Sequence, residues 1–414
     1  MRMQGAEVTE VKLNIYEPPR FFEAFLRGRQ FSEAPDITAR ICGICPVAYQ
    51  MSSVAAMEQG LGITPSQTVR DLRRLLYCGE WIESHVLHIA LLHAPDFLGY
   101  EDAIAMAEDH PELVKRALRI KKIGNEIVRV LGGREIHPIN VKVGGFYRTP
   151  QRRELTAMLD DLRWALDAAD ELVNNVAGLN FPDYEFEYEC VSLRHPDEYP
   201  MIGGRIVSTQ GLDIGINEYE FHFEERHVEH SNALHSVEKS VGAYLVGPIA
   251  RFNLNYDRLT ARARAAAERM QLTPPVRNPF KSIIVRAVET VLALEEAVRI
   301  VSMYEGLEVD SADVPAAACN GFGASEAPRG LLYHRYRLGE DGTIRDAKIV
   351  PPTAQNQPSI ENDLRRCASK FEAMDAKHLT RLCEQTVRNY DPCISCATHV
   401  VTMDRDHQSL LNPP

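Results

Sequence analysis

No stretch of the 414 residues approaches the roughly 20 consecutive apolar positions that a bilayer-spanning helix needs, which argues against a membrane span. The opening Met1-Arg2-Met3-Gln4-Gly5-Ala6-Glu7 lacks the apolar core of a secretory signal, so the expected location is cytoplasmic. Positive charge is short as well: 46 Lys and Arg against 58 Asp and Glu leave a net charge of −12. That balance disfavours nonspecific attraction to nucleic acid or an anionic membrane surface. There is no internal repeat, low-complexity tract or flexible linker. A βαβ series is missing too, so a dinucleotide fold is not expected and any nicotinamide site belongs on another polypeptide. The nine cysteines are odd in number in a long chain, which fits reduced thiols or metal ligands better than a disulfide framework.

What is present is mainly helical, with an ordinary globular composition of 45% hydrophobic and 25% charged residues. Thr64-Pro65-Ser66-Gln67 reads as a capping box with proline at the first helical position, opening a helix that runs past Trp81. Pro150 opens another, with Leu155, Met158, Leu159, Leu162, Leu166, Ala169 and Val173 on one face and an end near Gly178. A third starts at Asn278-Pro279 and runs to Gly306. Val11 to Tyr16 alternates like a strand. Leu331–Leu338 and Thr343–Val350, flanking Gly339-Glu340-Asp341-Gly342, read as a hairpin. The expected class is mainly α with peripheral β (α+β).

Two short motifs carry chemistry. Arg40-Ile41-Cys42-Gly43-Ile44-Cys45 and Asp391-Pro392-Cys393-Ile394-Ser395-Cys396 are both Cys-x-x-Cys, a spacing that lets two thiolates face one metal from a single tight turn. Gly43 and Pro392 favour such turns. Coordination lowers the thiol pKa, so both sulfurs of a pair can bind as anions. Four soft thiolates select zinc, an iron–sulfur cluster or another soft transition metal. A lone pair is a weak signal, since redox and incidental pairs are common. The two pairs lie at opposite ends of the chain, unlike the close pairs of a zinc ribbon, so a shared site would sit at the centre of the fold. The residues alone stop there, at a four-cysteine site with the metal undecided.

The flanks of the two pairs resemble the paired signatures of nickel–iron hydrogenase large (catalytic) subunits: Arg40-x-Cys42-Gly43-x-Cys45, then Asp391-Pro392-Cys393-x-x-Cys396-x-x-His399. Further segments follow in the family's order. They are Glu23 with Gly28-Arg29, His88 with His93-Ala94-Pro95-Asp96, Gly144-Gly145 after His137-Pro138, Glu326-Ala327-Pro328-Arg329-Gly330, and Val350-Pro351-Pro352-Thr353.

The resemblance implies the large-subunit fold, a central helical bundle with small sheets, in one domain over residues 1–399. It implies a nickel–iron centre with CO and cyanide on iron. Cys42 and Cys393 would be terminal nickel ligands, and Cys45 and Cys396 would bridge to iron. Arg329 would aim its rigid donor fork at the cyanides and the open metal position. Thr353 would offer its hydroxyl to a cyanide or cap a strand end. Glu23 and His399 would bind a separate Mg²⁺-type ion, the plain alternative for Glu23 being an exposed helix glutamate. Asp391 would hydrogen-bond the arginine or cap the cysteine turn. H₂ would be split heterolytically, with the Cys393 thiolate as leading base and Arg329 as its rival. Electrons would leave through an iron–sulfur small subunit, diaphorase chains carrying NAD(P) and flavin would follow, and nickel-insertion proteins with an endopeptidase would serve maturation. The competing readings are a quinone-site subunit related to complex I, which lacks the four thiolates, and a non-catalytic scaffold around a structural zinc.

The chain departs from the pattern in three places. Tyr49, followed by Gln50, stands where many relatives have histidine, and Ser84 where respiratory relatives place aspartate; both point to the cytoplasmic, NAD(P)-linked bidirectional branch that includes sulfhydrogenases. No Arg-x-Glu-Gly segment with the proton-gating glutamate precedes the first pair, and Glu7, Glu10 and Glu17 lack its context, so the expectation is a start placed downstream of it. Residues 400–414 follow His399 and resemble the peptide that the endopeptidase removes. Cys78, Cys190, Cys319, Cys367 and Cys383 are isolated and are expected to be buried structural thiols.

Overall fold

The computed structural model describes residues 1–4, 7–15, 19–306, 311–370, 376–392 and 404–405. Helices form the centre. In chain order they are α1 (Pro46–Leu61), α2 (Gln67–Leu87), α3 (Pro111–Gly132) and α4 (Leu159–Ala177). A hairpin of β1 (Phe223–Val228) and β2 (Ser231–Glu238) precedes α5 (Ser282–Met303). Then come β3 (Cys319–Ala327), β4 (Gly330–Leu338) and β5 (Ile344–Val350), an antiparallel sheet in that order. Helices α6 (Pro352–Lys370) and α7 (Ala376–Arg388) close the described chain apart from a short strand at Asp404–Arg405.

Two helices are buried on every side, as a helix at the centre of a bundle must be. Every side chain from Pro46 to Val54 in α1 and from Ser282 to Leu294 in α5 is buried. Each fully buried Val, Leu, Ile or Met contributes about 1.5–3 kcal/mol, so these two helices anchor the core. Helix α2 packs on α3 and α5, and α4 packs on α5. Strand β3 lies against α1 with no room for side chains between them: a Cβ on Gly323 would sit 2.4 Å from the Ser52 carbonyl oxygen.

Several sequence expectations hold. Helix α2 forms, α5 is entered through Asn278, whose Oδ1 accepts from Phe280 N at 3.0 Å, and β4 and β5 make the expected hairpin. Others need correcting. The cap of α2 is Ser66, whose Oγ accepts from Val69 N, so Pro65 lies before the cap and not at the first helical position. The helix expected from Pro150 is two pieces, Arg152–Thr156 and α4, although Leu155, Met158, Leu162, Leu166, Ala169 and Val173 are all buried as expected. Val11–Ile15 is not a strand: Leu13 N donates to the Glu361 carboxylate and Ile15 N to Ser231 Oγ, so side chains take the place of a neighbouring strand. Tyr16 lies outside the described residues.

Candidate metal centre

The first cysteine pair lies at the entrance to α1. Cys42 ends a 3₁₀ turn in extended conformation, Cys45 is the N-cap, and Pro46 occupies the first helical position, where its missing N–H is no loss. Cys45 N donates to Cys42 Sγ at 3.3 Å, and both sulfurs are buried. A backbone N–H aimed at sulfur favours the thiolate, which is the form that binds metal. The next free amides of the helix meet Glu80 of α2: its carboxylate accepts from Val47 N at 2.6 Å and Ala48 N at 3.1 Å. A carboxylate on the first turn matches the positive end of the helix dipole. Burial, followed by repulsion from Glu83, nevertheless holds the Glu80 carboxyl well above the usual range, and burial raises Glu83 to about 8.

Arg329 is delivered by the turn between β3 and β4. Gly330 permits that turn with φ +138°, and a Cβ there would meet Val246 Cγ2 at 2.6 Å. Beneath it, the fully buried Arg251 donates to the carbonyls of Ala327 at 2.8 Å and Pro328 at 3.0 Å. Arg251 in turn pairs with Glu289 at 2.8 Å and Glu326 at 3.1 Å. Burial opposes ionisation of Glu289, but Arg251 outweighs it and leaves the carboxyl at about 2; at Glu326 burial prevails, at about 7. Arg329 itself is buried and donates from Nε to the Asp391 carbonyl oxygen at 2.6 Å and from Nη2 to Asp391 Oδ1 at 3.3 Å.

Asp391 therefore meets the arginine, one of its two expected partners. It adopts φ +49°, in the left-handed region where Asp is tolerated better than most residues. The segment before it is gripped by its carbonyls. Ser282 Oγ and Arg286 Nη1 both donate to Asn389 O, at 2.9 and 3.1 Å, and His88 Nε2 lies 2.8 Å from Arg388 O. His88 opens a widened π-type turn, His88–His93, of the kind often found at functional sites. The Arg388 side chain reaches Asp96 at 2.7 Å. These contacts hold the chain as far as Asp391. Cys393, Cys396 and His399 lie outside the described residues.

Glu23 is not the exposed helix glutamate of the plain reading: it is half-buried against β5 and accepts from Ile349 N at 2.8 Å through Oε1, leaving Oε2 for another ligand. Burial raises its pKa. Thr353 is buried in the first turn of α6, directly after β5. Ser84 is buried with no hydrogen-bond partner for its hydroxyl among the described residues, and Tyr49 is buried with its ring 5.8 Å from that of His334. Cys78, Cys190, Cys367 and Cys383 are buried, and burial raises all four thiols, to about 12, 12, 12 and 11, so they are inert as expected. Cys319 is only partly buried.

Sequence reasoning missed Glu80, Arg251, Glu289 and Arg286, and it noted His88 without a partner. A signal existed for two of them. Arg286 and Glu289 interrupt the otherwise apolar run Ile283-Ile284-Val285-Arg286-Ala287-Val288-Glu289, and a charge inside such a run is buried only with a partner.

The nickel-dependent hydrogenase family matches residues 20–116 and 243–399 of this chain. Sulfhydrogenase 1 subunit alpha of Pyrococcus furiosus is 35% identical over 404 residues, covering 96% of this chain and 93% of that protein. The NAD-reducing hydrogenase HoxS subunit beta of Cupriavidus necator is 27% identical, covering 95% and 90%. Among solved structures, an NAD⁺-reducing [NiFe]-hydrogenase in its H₂-reduced state superimposes with a TM-score of 0.85 at 28% identity, covering 95% of this chain and 94% of that one. The chain belongs to the nickel-dependent hydrogenase family, as a catalytic large subunit. Its α+β fold is that of the family. Among the described residues no helix is long and apolar enough to cross a membrane.

Proposed function

We infer that Cys42, Cys45, Cys393 and Cys396 hold a nickel–iron centre at which the chain interconverts H₂ with protons and electrons. The observation that carries this reading is the docking of buried Arg329 onto Asp391, because it brings the Pro328-Arg329-Gly330 turn to the residue two positions before Cys393. The donor set fits the group. Two buried sulfurs, one of them receiving a backbone N–H, lie at the end of a central helix, and soft thiolates suit nickel and iron. When bound, the centre supplies the polarising metals, with CO and cyanide on the iron, that split the H–H bond.

The protein's own groups do the rest. Asp391 clamps buried Arg329 through Nε and Nη2, so the guanidinium is held in place before reaction. The Cys393 thiolate would take the proton. Thr353 would offer its hydroxyl to a cyanide, while Glu23 and His399 would hold a Mg²⁺-type ion. Residues 1–399 form one domain, and cleavage after His399 releases 400–414; the intact mass of active protein should end at His399, and a mass that includes Pro414 would overturn this. The sulfhydrogenase and NAD-reducing relatives support a cytoplasmic complex with an iron–sulfur small subunit and NAD(P)-reducing diaphorase chains.

The test is metal analysis with infrared spectroscopy on the purified complex. Nickel and iron near one each, with bands of bound CO and cyanide, are expected. Zinc alone in protein that has been through maturation would favour the scaffold reading.

A further inference from the structure

His230, His235 and Glu361 converge outside the cysteine centre. His230 lies in the two-residue turn between β1 and β2, His235 is on β2, and Glu361 is on α6. His230 Nε2 lies 2.7 Å from Glu361 Oε1, and the two imidazoles meet edge to face with ring centres 5.6 Å apart. One ligand atom from each of the three side chains can be chosen so that all lie within 4.8 Å of one another. His235 is only 8% exposed, and its Nε2 is buried without a hydrogen-bond partner. Burial keeps its imidazole below the ordinary pKa, hence neutral with a lone pair to offer.

The frame around the three is built rather than incidental. Glu361 Oε1 also accepts from Leu13 N at 3.0 Å. Gln357, one turn earlier on α6, donates to Ser231 Oγ at 2.9 Å. Ser231 Oγ in turn donates to Ile15 O at 3.2 Å, so the helix, the hairpin turn and the 11–15 segment are tied together beside the cluster. A plain histidine–carboxylate hydrogen bond accounts for His230 and Glu361, but it leaves the buried nitrogen of His235 unexplained.

We propose that His230, His235 and Glu361 bind a divalent ion of the zinc class, with a fourth position left to water. Two imidazole nitrogens and one carboxylate oxygen suit Zn²⁺, Co²⁺ or Ni²⁺, whereas Mg²⁺ and Ca²⁺ prefer oxygen alone. Metal–ligand bonds of about 2.0–2.1 Å place tetrahedral ligands roughly 3.3 Å apart. The 2.7 Å contact must therefore open slightly and the widest separation close by at most about 1.5 Å, a change that side-chain rotation can supply. The charge balances: one carboxylate and two neutral imidazoles leave the bound ion a single net positive charge. The ion pins the hairpin to α6, whose first turn carries Thr353 roughly 12 Å along the axis from Glu361. The site stands independently of the hydrogenase reading.

The experiment is anaerobic Co²⁺ titration of the metal-loaded complex, in which the cysteines are already occupied. The parent should take up one further equivalent with the ligand-field absorption of a nitrogen–oxygen site, free of thiolate charge transfer, and its thermal midpoint should rise. His235→Ala and Glu361→Gln should each weaken that uptake at least 10-fold and lose the midpoint rise while nickel and iron content stay constant; Gln at 361 keeps an acceptor for Leu13 N. No extra equivalent in the parent, uptake with sulfur charge transfer, or undiminished uptake in both variants would overturn the site. If a variant loses nickel or fails to fold, His230→Ala, at the turn where its ring is partly exposed, supplies the same comparison.

Discussion

The first cysteine segment and the residues that lead to the second are held in different ways. The first is seated by its own helix: Cys45 caps α1, Glu80 takes the amides of Val47 and Ala48 from 33 and 32 residues away, and Ser325 Oγ donates to the Ala48 carbonyl. The last is clasped from outside. Its carbonyls at Arg388, Asn389 and Asp391 accept from His88, Ser282, Arg286 and Arg329, at separations of 62 to 300 residues. A helix entrance is rigid because its backbone is committed to its own ladder. A clasp of side chains on main-chain carbonyls is a set of separate contacts, each of which can be released. The difference assigns rigidity to Cys42 and Cys45 and adjustability to the arm that leads to Cys393.

The sharpest way to test the clasp is Arg329→Lys. Lysine keeps the charge but loses the fork that bonds Asp391 at both its carbonyl and its carboxylate. Removing one preorganised donor from a dry site costs about 10²–10³ in rate, so H₂/D₂ exchange should fall by that order with nickel content retained. Activity within a few-fold of the parent would show that the clamp is not needed for turnover.

Glu80→Ala addresses the rigid side. It leaves two buried amides at the entrance of α1 without their acceptor, a loss of about 1–3 kcal/mol per unsatisfied group. The expected outcome is a lower thermal midpoint and reduced nickel occupancy, with Glu80→Gln recovering part of both because the amide oxygen still accepts. Arg388→Ala loosens the clasp at its pair with Asp96, where burial offsets much of the attraction, so a cost of about 1 kcal/mol is expected. Its readout is local: amide exchange should quicken in α7 and at Asn389 and Asp391, and not in α1. Equal quickening in both would erase the contrast between the segments.

Legibility in the sequence followed the range of the interactions. Helices α2 and α5 were visible because Ser66 and Asn278 announce them locally. Strand β3 was not, because Gly321 and Gly323 interrupt its alternation, and their reason for being small is a helix more than 250 residues earlier. The alternation of Val11–Ile15 misled for the opposite cause: its partners are Ser231 and Glu361 side chains, which no local pattern reveals. At the metal centre, Cys42, Cys45, Arg329 and Asp391 were marked by their motifs, and the meeting of the last two was among the expectations. Glu80 and Arg251 carry no motif. Their roles exist only where α2 meets α1 and where the segment ahead of α5 meets β3.

The Asp96–Arg388 contact should also depend on pH. Burial raises the Asp96 carboxyl to about 6, with Arg388 pulling the other way without prevailing. A folded-state pKa above the unfolded value, near 3.9, means that the folded protein holds this proton more tightly. The favourable contribution of the protonated form is therefore full below about pH 4 and is lost as pH rises toward 6; above that it changes no further. Asp96→Asn cannot titrate. The difference in thermal midpoint between parent and variant should accordingly move against the parent from pH 4 to 6 and stay level from 7 to 8. A difference that moves in the parent's favour over the lower interval would mean that the ion pair with Arg388 outweighs burial, making this contact a strong part of the clasp instead of its weakest.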